Sequence, residues 1–429
     1  MDRSLSRRTF LKGAAVAGAV AGGPFVIVRP GWSQAGPIKI GVLEPQSGPV
    51  KYIGDGNVAA FRYGAERLNA GGGVLGRKVE IVVADSELKP DVSTRRANDL
   101  LLGDKVDMLA VNTGSNIAKA VSQVANQSRK IFFSTGTEAK ELTGEEFFDT
   151  TFRCCLNTDM HSGQLAVYFT KLAPQKYTKY YLLNQDYNFG RAAAEGFKTK
   201  FNKIKAANQT IVGEEYHPLQ KVQDFAPYVT KIMASGADVV MTGDWGQDLR
   251  LLLQQGSALG WKVKVGNYFL DDALVMQAVG KAALGQITAD AYLTTIDTPE
   301  NRQFVKDWHA AHPDAPIAYR YPTLTISRVY HAVLWAGDAI KRAGSVDTEK
   351  LIKAWEGSKM KTVWGDVEMR ACDHQMLTQG YVAEVVEPEK IPQELRFFGN
   401  EFPYLGKAML IPKDEMTVPP KETGNRRCA

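Results

Sequence analysis

Histidine, cysteine and acidic side chains crowded together are where proton transfer, nucleophilic attack or metal ligation would begin. This chain offers one such cluster, Cys372, Asp373 and His374. An aspartate can orient a histidine that titrates near neutrality, so the trio could act as an acid/base or ligand set. A structural hydrogen-bonding role is the better reading, because nothing pairs a nucleophile with its base. Of the other histidines, only His309 and His312 are spaced to share a helix face, at what reads as a solvated helix end. Gly54-Asp55-Gly56-Asn57-Val58-Ala59 has the form G-x-G-x-x-A, but residues 44–53 separate it from the first strand, whereas a dinucleotide fingerprint needs a tight strand-to-helix turn. There is no G-x-x-x-x-G-K-[ST] loop, no G-x-S-x-G elbow and no H-E-x-x-H. Nucleotide hydrolysis, serine esterase and zinc protease chemistry therefore lose their usual support. The expectation is no enzyme, no metal and no cofactor.

The residues that remain suited to chemistry lie after predicted strands. Apolar runs at 38–43, 79–84, 108–111, 131–133, 180–183, 211–216, 239–241, 263–266 and 287–293 alternate with helical patterns, which predicts an α/β fold of parallel sheets built from βαβ units. Several of these runs end in Glu44-Pro45-Gln46-Ser47-Gly48, Asn112-Thr113-Gly114-Ser115, Ser134-Thr135-Gly136-Thr137, Asn184-Gln185-Asp186-Tyr187, Gly243-Asp244-Trp245 and Asn267-Tyr268-Phe269. Open α/β sheets bind ligands beyond the carboxyl ends of their strands, where helix N-termini present free N–H groups. Ordinary turn chemistry accounts for any one of these loops, but turns do not require Trp245 or Tyr187. Beyond residue 293 helices are predicted at 299–312, 322–342 and 348–356, then strands at 367–369 and 381–386. The stretch after Glu387 is either an extended strap or partly disordered.

The 429 residues carry a net charge of +5, of which Arg3, Arg7, Arg8, Lys12 and Arg29 against Asp2 supply +4. The rest is nearly neutral, which excludes a nucleic-acid footprint. Ser6-Arg7-Arg8-Thr9-Phe10-Leu11-Lys12, followed by a Gly/Ala-rich apolar stretch to Val28, resembles a twin-arginine export signal. That resemblance implies a leader over 1–35, with Ser33-Gln34-Ala35 as the cleavage site, and a periplasmic protein translocated already folded. An oxidising compartment makes a disulfide plausible among the four cysteines, and three full pairings are possible. The pairing expected is Cys154 with Cys372, and free buried thiols are the alternative.

The ordered motifs of residues 36–429 resemble the branched-chain amino-acid type of periplasmic solute-binding protein, the receptor of an ABC importer. They are Ile40-Gly41-Val42-Leu43 with Pro45-x-Ser47-Gly48-Pro49; Asn69-Ala70-Gly71-Gly72 with Gly76-Arg77-Lys78-Val79-Glu80; Asp85; Ser115 opening a helix; Ser134-x-Gly136 with Glu141-Leu142-Thr143; Phe152-Arg153; and Asp186-Tyr187-x-Phe189-Gly190. The resemblance implies two doubly wound lobes joined by a three-crossover hinge, the type I periplasmic binding protein-like fold. Lobe 1 would be 36–154 with 287–365, and lobe 2 would be 155–286 with 366–429. The partners implied are a small-molecule ligand and an inner-membrane permease, with the protein itself a monomer.

By the same resemblance, Ser115 and Gly136-Thr137-Glu138 would hold a ligand carboxylate, and Tyr187 or Phe189 and Trp245 would pack on its body. The acid that grips an α-ammonium in this family falls near Tyr268-Phe269, where no carboxylate stands; Asp244, Glu138 and Asp271 are the candidates to replace it. Tyr52, Asp244 and Tyr268 complete the candidate contacts. A buried ammonium without a carboxylate costs several kcal/mol, so an aromatic or other organic acid fits as well as a branched-chain or aromatic amino acid. The competing readings are a ligand-sensing module of the same fold and an exported cofactor-dependent enzyme.

Overall fold

The computed structural model describes residues 36–172, 176–397, 399 and 404–429; the leader and its cleavage site lie outside the described residues. Two mixed sheets form the frame. The first runs β11 (Lys359–Thr362), β12 (Gly365–Arg370), β13 (Gln375–Leu377), β5 (Thr151–Arg153), β4 (Ile131–Ser134), β3 (Met108–Val111), β1 (Ile38–Glu44), β2 (Val79–Asp85). The second runs β15 (Tyr404–Leu405), β14 (Gly380–Val386), β10 (Ile287–Asp290), β9 (Lys264–Asn267), β8 (Val239–Met241), β6 (Lys179–Gln185), β7 (Thr210–His217), with β16 (Met409–Ile411) also on β14. Strands β1 to β5 pair parallel, as do β6 to β10. Central parallel strands are covered on both faces, which is why Met-Leu-Ala-Val in β3 and Ile-Phe-Phe-Ser in β4 are buried throughout.

Helices cover these faces. Lys51–Ala70 and Leu324–Ala343 pack together at glycines: a Cβ on Gly64 would come within 2.8 Å of Val333, and one on Gly337 within 2.8 Å of Leu68. The glycines of the G-x-G-x-x-A string also serve close packing, since a Cβ on Gly54 would lie 1.9 Å from the Pro45 carbonyl oxygen.

The chain leaves the first sheet after Arg153, returns after Asp290 and leaves again after Leu377. Boundaries drawn at 286/287 and 365/366 are therefore displaced. Strand β10 belongs to the second sheet, parallel to β9 and antiparallel to β14, while β12 and β13 extend the first sheet beside β5. The apolar run 287–293 continues through the crossover, so its hydrophobicity does not mark where one sheet ends. Strands β5, β11 and β13 are three or four residues long, too short for a period-two pattern to register.

The disulfide joins Cys372 to Cys428, and Cys154 and Cys155 are free and buried, which corrects the pairing of Cys154 with Cys372. The last residues form a strap across both lobes, and this is what brings Cys428 to Cys372. Lys171–Glu415 and Lys203–Glu422 pair it to lobe 2, while Asn425 donates to the Thr143 carbonyl and Arg427 pairs with Glu356 on lobe 1. His374 Nδ1 donates to the Thr151 carbonyl (3.0 Å), its Nε2 lies 2.8 Å from the Glu356 carboxylate, and the ring stacks on Phe152, a structural arrangement beside the disulfide.

Candidate functional site

A cavity of about 90 Å³ lies between the carboxyl ends of the two sheets. Its lobe 1 wall combines the loop Asn112 to Ser115 and Gly136 with larger side chains, among them Tyr52, Leu324 and Arg328. Glu44, wholly buried at the end of β1, accepts from the Asn112 N–H (2.5 Å), the Thr113 N–H (3.2 Å), the Thr113 hydroxyl (2.7 Å) and the Asn57 amide (2.9 Å). Burial raises the Glu44 pKa, against the pull of these donors. The loop they hold turns at Gly114 (φ 92°) into the helix Ser115–Gln127. Only glycine adopts that φ without strain, so the helix N-terminus is fixed where it meets the cavity.

Ser115 Oγ accepts the N–H groups of Glu138 and Ala139, both at 3.2 Å, which ties this helix start to the segment after β4. As an acceptor twice over, the hydroxyl keeps its hydrogen for a further partner. Gly136 lies against Asn112, whose Oδ1 a Cβ would approach to 2.3 Å.

The lobe 2 wall is aromatic: Tyr187, Phe189, Trp245 and Phe269. The Trp245 indole N–H donates to the Tyr187 hydroxyl at 2.9 Å, and the Tyr187–Phe189 and Phe189–Phe269 centroids lie 5.8 and 6.0 Å apart. Behind this wall His217 Nε2 meets Asp244 at 2.8 Å, and Asp248 accepts from Gln185 and from the Gln220 N–H, both at 2.8 Å. Burial would lower the His217 pKa, but Asp244 and Asp248 outweigh it and bring it to about 9. Burial, then the charge of Asp244, pushes Asp248 up to about 6.

The lobes touch around the cavity. Tyr52 donates to Asp272 Oδ2 at 3.0 Å, and Asp271 accepts the Leu324 N–H at the start of Leu324–Ala343. At the hinge a buried quartet bridges them. Glu138 of lobe 1 meets His161 of lobe 2 at 2.7 Å, His161 meets Asp290 at 2.8 Å, and Arg328 pairs with Glu138 at 2.7 Å and Asp290 at 3.5 Å. Burial opposes protonation of His161, yet the two carboxylates raise its pKa to about 9. Glu138, His161 and Asp290 are spaced as metal ligands could be, but the Arg328 guanidinium already supplies a cation to both carboxylates.

Of the candidate contacts, Tyr52, Ser115, Gly136, Tyr187 and Trp245 line the cavity together. Thr137, Glu138, Asp244 and Tyr268 do not. Thr137 is held by Ser134; Glu138 is spent in the hinge quartet; Asp244 is the His217 partner; and the Tyr268 hydroxyl bonds Ser162 at 2.8 Å while its ring stacks on His161. Beside Thr137, Asp244 and Tyr268 a neighbour along the chain, Gly136, Trp245 or Phe269, lines the cavity instead, because alternate residues of an extended segment point to opposite sides. The lining that sequence reasoning missed includes Asn112, Phe269, Asp272 and the helix start 323–326 with Arg328. Arg328 left a readable signal, an arginine on the apolar face of a long helix, in line with Leu324 and Ala332.

Residues 37–390 match the family model described as periplasmic binding protein. The chain belongs to that family. A second model, the twin-arginine translocation signal, matches residues 4–24, so this solute-binding protein is exported to the periplasm by that route. It is 27% identical over 390 residues to "Leu/Ile/Val-binding protein homolog 4" of Brucella abortus (strain 2308), covering 87% of this chain and 89% of the relative. The closed leucine-, isoleucine-, valine-, threonine- and alanine-binding protein from Brucella ovis superimposes with a TM-score of 0.79 at 26% identity, covering 90% of this chain and 97% of that one. A solute-binding protein from Rhodopseudomonas palustris BisB5, solved with 3,4-dihydroxybenzoic acid, superimposes with a TM-score of 0.77 at 21% identity, covering 90% and 99%. It shares the fold.

Proposed function

We propose that the cleft closes on a small organic acid, with the carboxylate at Ser115 and an aromatic or branched body against Trp245 and Tyr187, and that the closed form is delivered to an ABC importer permease. The observation that carries this reading is the division of one cavity into a hydroxyl at a helix N-terminus on one wall and an aromatic cluster on the other. An N-terminus favours an anion, and flat aromatic faces favour a ring or a branched chain. One copy contains the whole cleft, so the monomer is the functional unit, and binding without turnover is its task.

An amino acid is the second reading, favoured by Asp271 in the cavity lining. Burial raises its carboxyl pKa well above the usual range and so favours the neutral form, whereas an incoming ammonium would favour the charged one and release of any proton held. A thermal-shift screen of the mature protein, stripped of co-purified ligand, tests both against leucine, phenylalanine, 4-methylpentanoate and benzoate. The proposal expects a dose-dependent rise with at least one acid. Proton release on titration would mark the amino-acid reading. No rise with any of them would reject the proposed ligand class.

A further inference from the structure

The Arg328 side chain is wholly buried, lines the cavity, and has only part of its donor set engaged. Nη1 bonds Glu138, whereas Nε and Nη2 have no partner among the described residues. An unpartnered N–H on a buried guanidinium carries a desolvation penalty with nothing to offset it, and buried polar groups are otherwise nearly always paired. The Nε and Nη2 edge is moreover the side of a guanidinium that receives a carboxylate through two parallel hydrogen bonds. Glu138 fixes where this edge stands relative to Ser115: its N–H donates to Ser115 Oγ, and its own carboxylate takes Arg328 Nη1. Ser115 and Arg328 thus flank one residue and open onto one cavity.

We propose that Arg328 is a direct ligand-binding residue, whose free edge receives the carboxylate of the bound acid beside the Ser115 hydroxyl. The inference rests on the organic-acid reading of the cleft and sharpens it from a polar head group to an anionic one. The hinge quartet pairs two carboxylates with the Arg328 guanidinium and, since they raise the His161 pKa to about 9, with an imidazolium near neutral pH, so its formal charges cancel. The ligand carboxylate then brings a charge of its own, and Arg328 is the cation that meets it. Because Arg328 also pairs with Asp290 of lobe 2, the seated carboxylate joins a bridge between the lobes.

The test compares an acid with its neutral carboxamide of the same shape, benzoate against benzamide and 4-methylpentanoate against 4-methylpentanamide, by calorimetry on wild type, Arg328→Lys and Arg328→Met. Wild type should prefer the acid by about 30-fold or more. Arg328→Lys should narrow the ratio to within about fivefold, and Arg328→Met should abolish it; the ratio is what is read, so a loss shared by acid and amide does not count toward the role. An unchanged acid-to-amide ratio would overturn the role of Arg328 and leave the binding function standing. Failure of both acids to bind wild type would overturn the organic-acid reading and this inference with it. Should the substitutions prevent folding, arginine-selective ¹⁵N spectra of wild type decide the matter: a slowly exchanging Nε–H signal must move downfield when acid is added and stay put with amide. A signal unmoved by a bound acid rejects the proposal.

Discussion

The two walls of the cleft are built by different means. In lobe 1 part of the ligand-facing surface is the tightly held loop Asn112 to Ser115 with Gly136, beside the side chains of Tyr52, Leu324 and Arg328, and the loop's geometry is imposed from behind by buried Glu44 and from the side by Ser115. In lobe 2 it is side chain, Tyr187, Phe189, Trp245 and Phe269, resting on one another and on a histidine–aspartate pair. A main-chain wall changes little when side chains change, so it suits a feature common to many ligands. An aromatic wall is rewritten by single substitutions and suits whatever distinguishes them. Both walls are backed by a buried histidine between carboxylates, but only His161 joins the lobes; His217 lies within one.

The largest expected effect concerns those histidines. A histidine whose folded pKa exceeds its unfolded value holds its proton more tightly in the fold. Its contribution is therefore complete below about pH 6.5 and is lost as pH rises through about 9. Asp248, raised to about 6, loses its contribution earlier, as pH rises from about 4 through about 6, so the fall above pH 6.5 belongs to the histidines. Stability should fall by on the order of a few kcal/mol between pH 6.5 and 9. Denaturant titrations at half-unit steps measure it. His161→Gln and His217→Gln should each flatten the profile; a wild-type curve that is level or rising across that window would contradict the assigned charges.

The strap decides how independently the walls can be treated, since it is paired to lobe 2 and covalently fixed to lobe 1. Removing the Cys372–Cys428 bond, which spans 56 residues, with Cys428→Ser should cost about 2–4 kcal/mol of stability. The affinity of a preferred acid should change by less than about threefold, because none of the described strap residues lines the cavity. Thiol counting on the unfolded wild type should find two free groups, Cys154 and Cys155. Four would remove the bridge.

On the aromatic wall, Trp245→Ala should weaken binding of a preferred acid by about 2–3 kcal/mol, roughly 30- to 150-fold. Trp245→Phe keeps most of the apolar area but forfeits the bond to Tyr187, so its loss should stay near threefold. Equal losses for the two substitutions would mean that the indole N–H, and not the ring face, is what the ligand senses.

The contrast between the walls also explains what the sequence disclosed. Trp245 and Tyr187 stood out because large aromatics have no business in turns, and Ser115 because it opens a helix after a strand. Thr137, Asp244 and Tyr268 each stand one position from a residue that lines the cleft, Gly136, Trp245 or Phe269, a shift that a two-residue side-chain period produces when a loop's phase is unknown. The two-lobed α/β frame was legible in its repeated strand and helix patterns. The second and third crossovers were not, since β10 and β13 switch sheets through short segments that carry no compositional mark. Nor was the partner of Cys372, because the path of the strap depends on contacts such as Asn425 with Thr143, far apart in the chain.

On the main-chain wall a single side chain should matter least. Ser115→Ala removes one hydroxyl donor to a carboxylate, worth about 1.5 kcal/mol, or roughly tenfold in Kd for an acid. It also leaves the Glu138 and Ala139 N–H groups without their shared acceptor, so a modest fall in melting temperature should accompany it. The two effects separate by ligand. Loss of the donor penalises the acid more than its carboxamide, whose oxygen accepts more weakly, whereas a displaced helix start penalises both alike. Calorimetry of Ser115→Ala with each member of the pair therefore reports whether this wall recognises charge through its hydroxyl or only through the peptide N–H groups that glycine and glutamate hold in place.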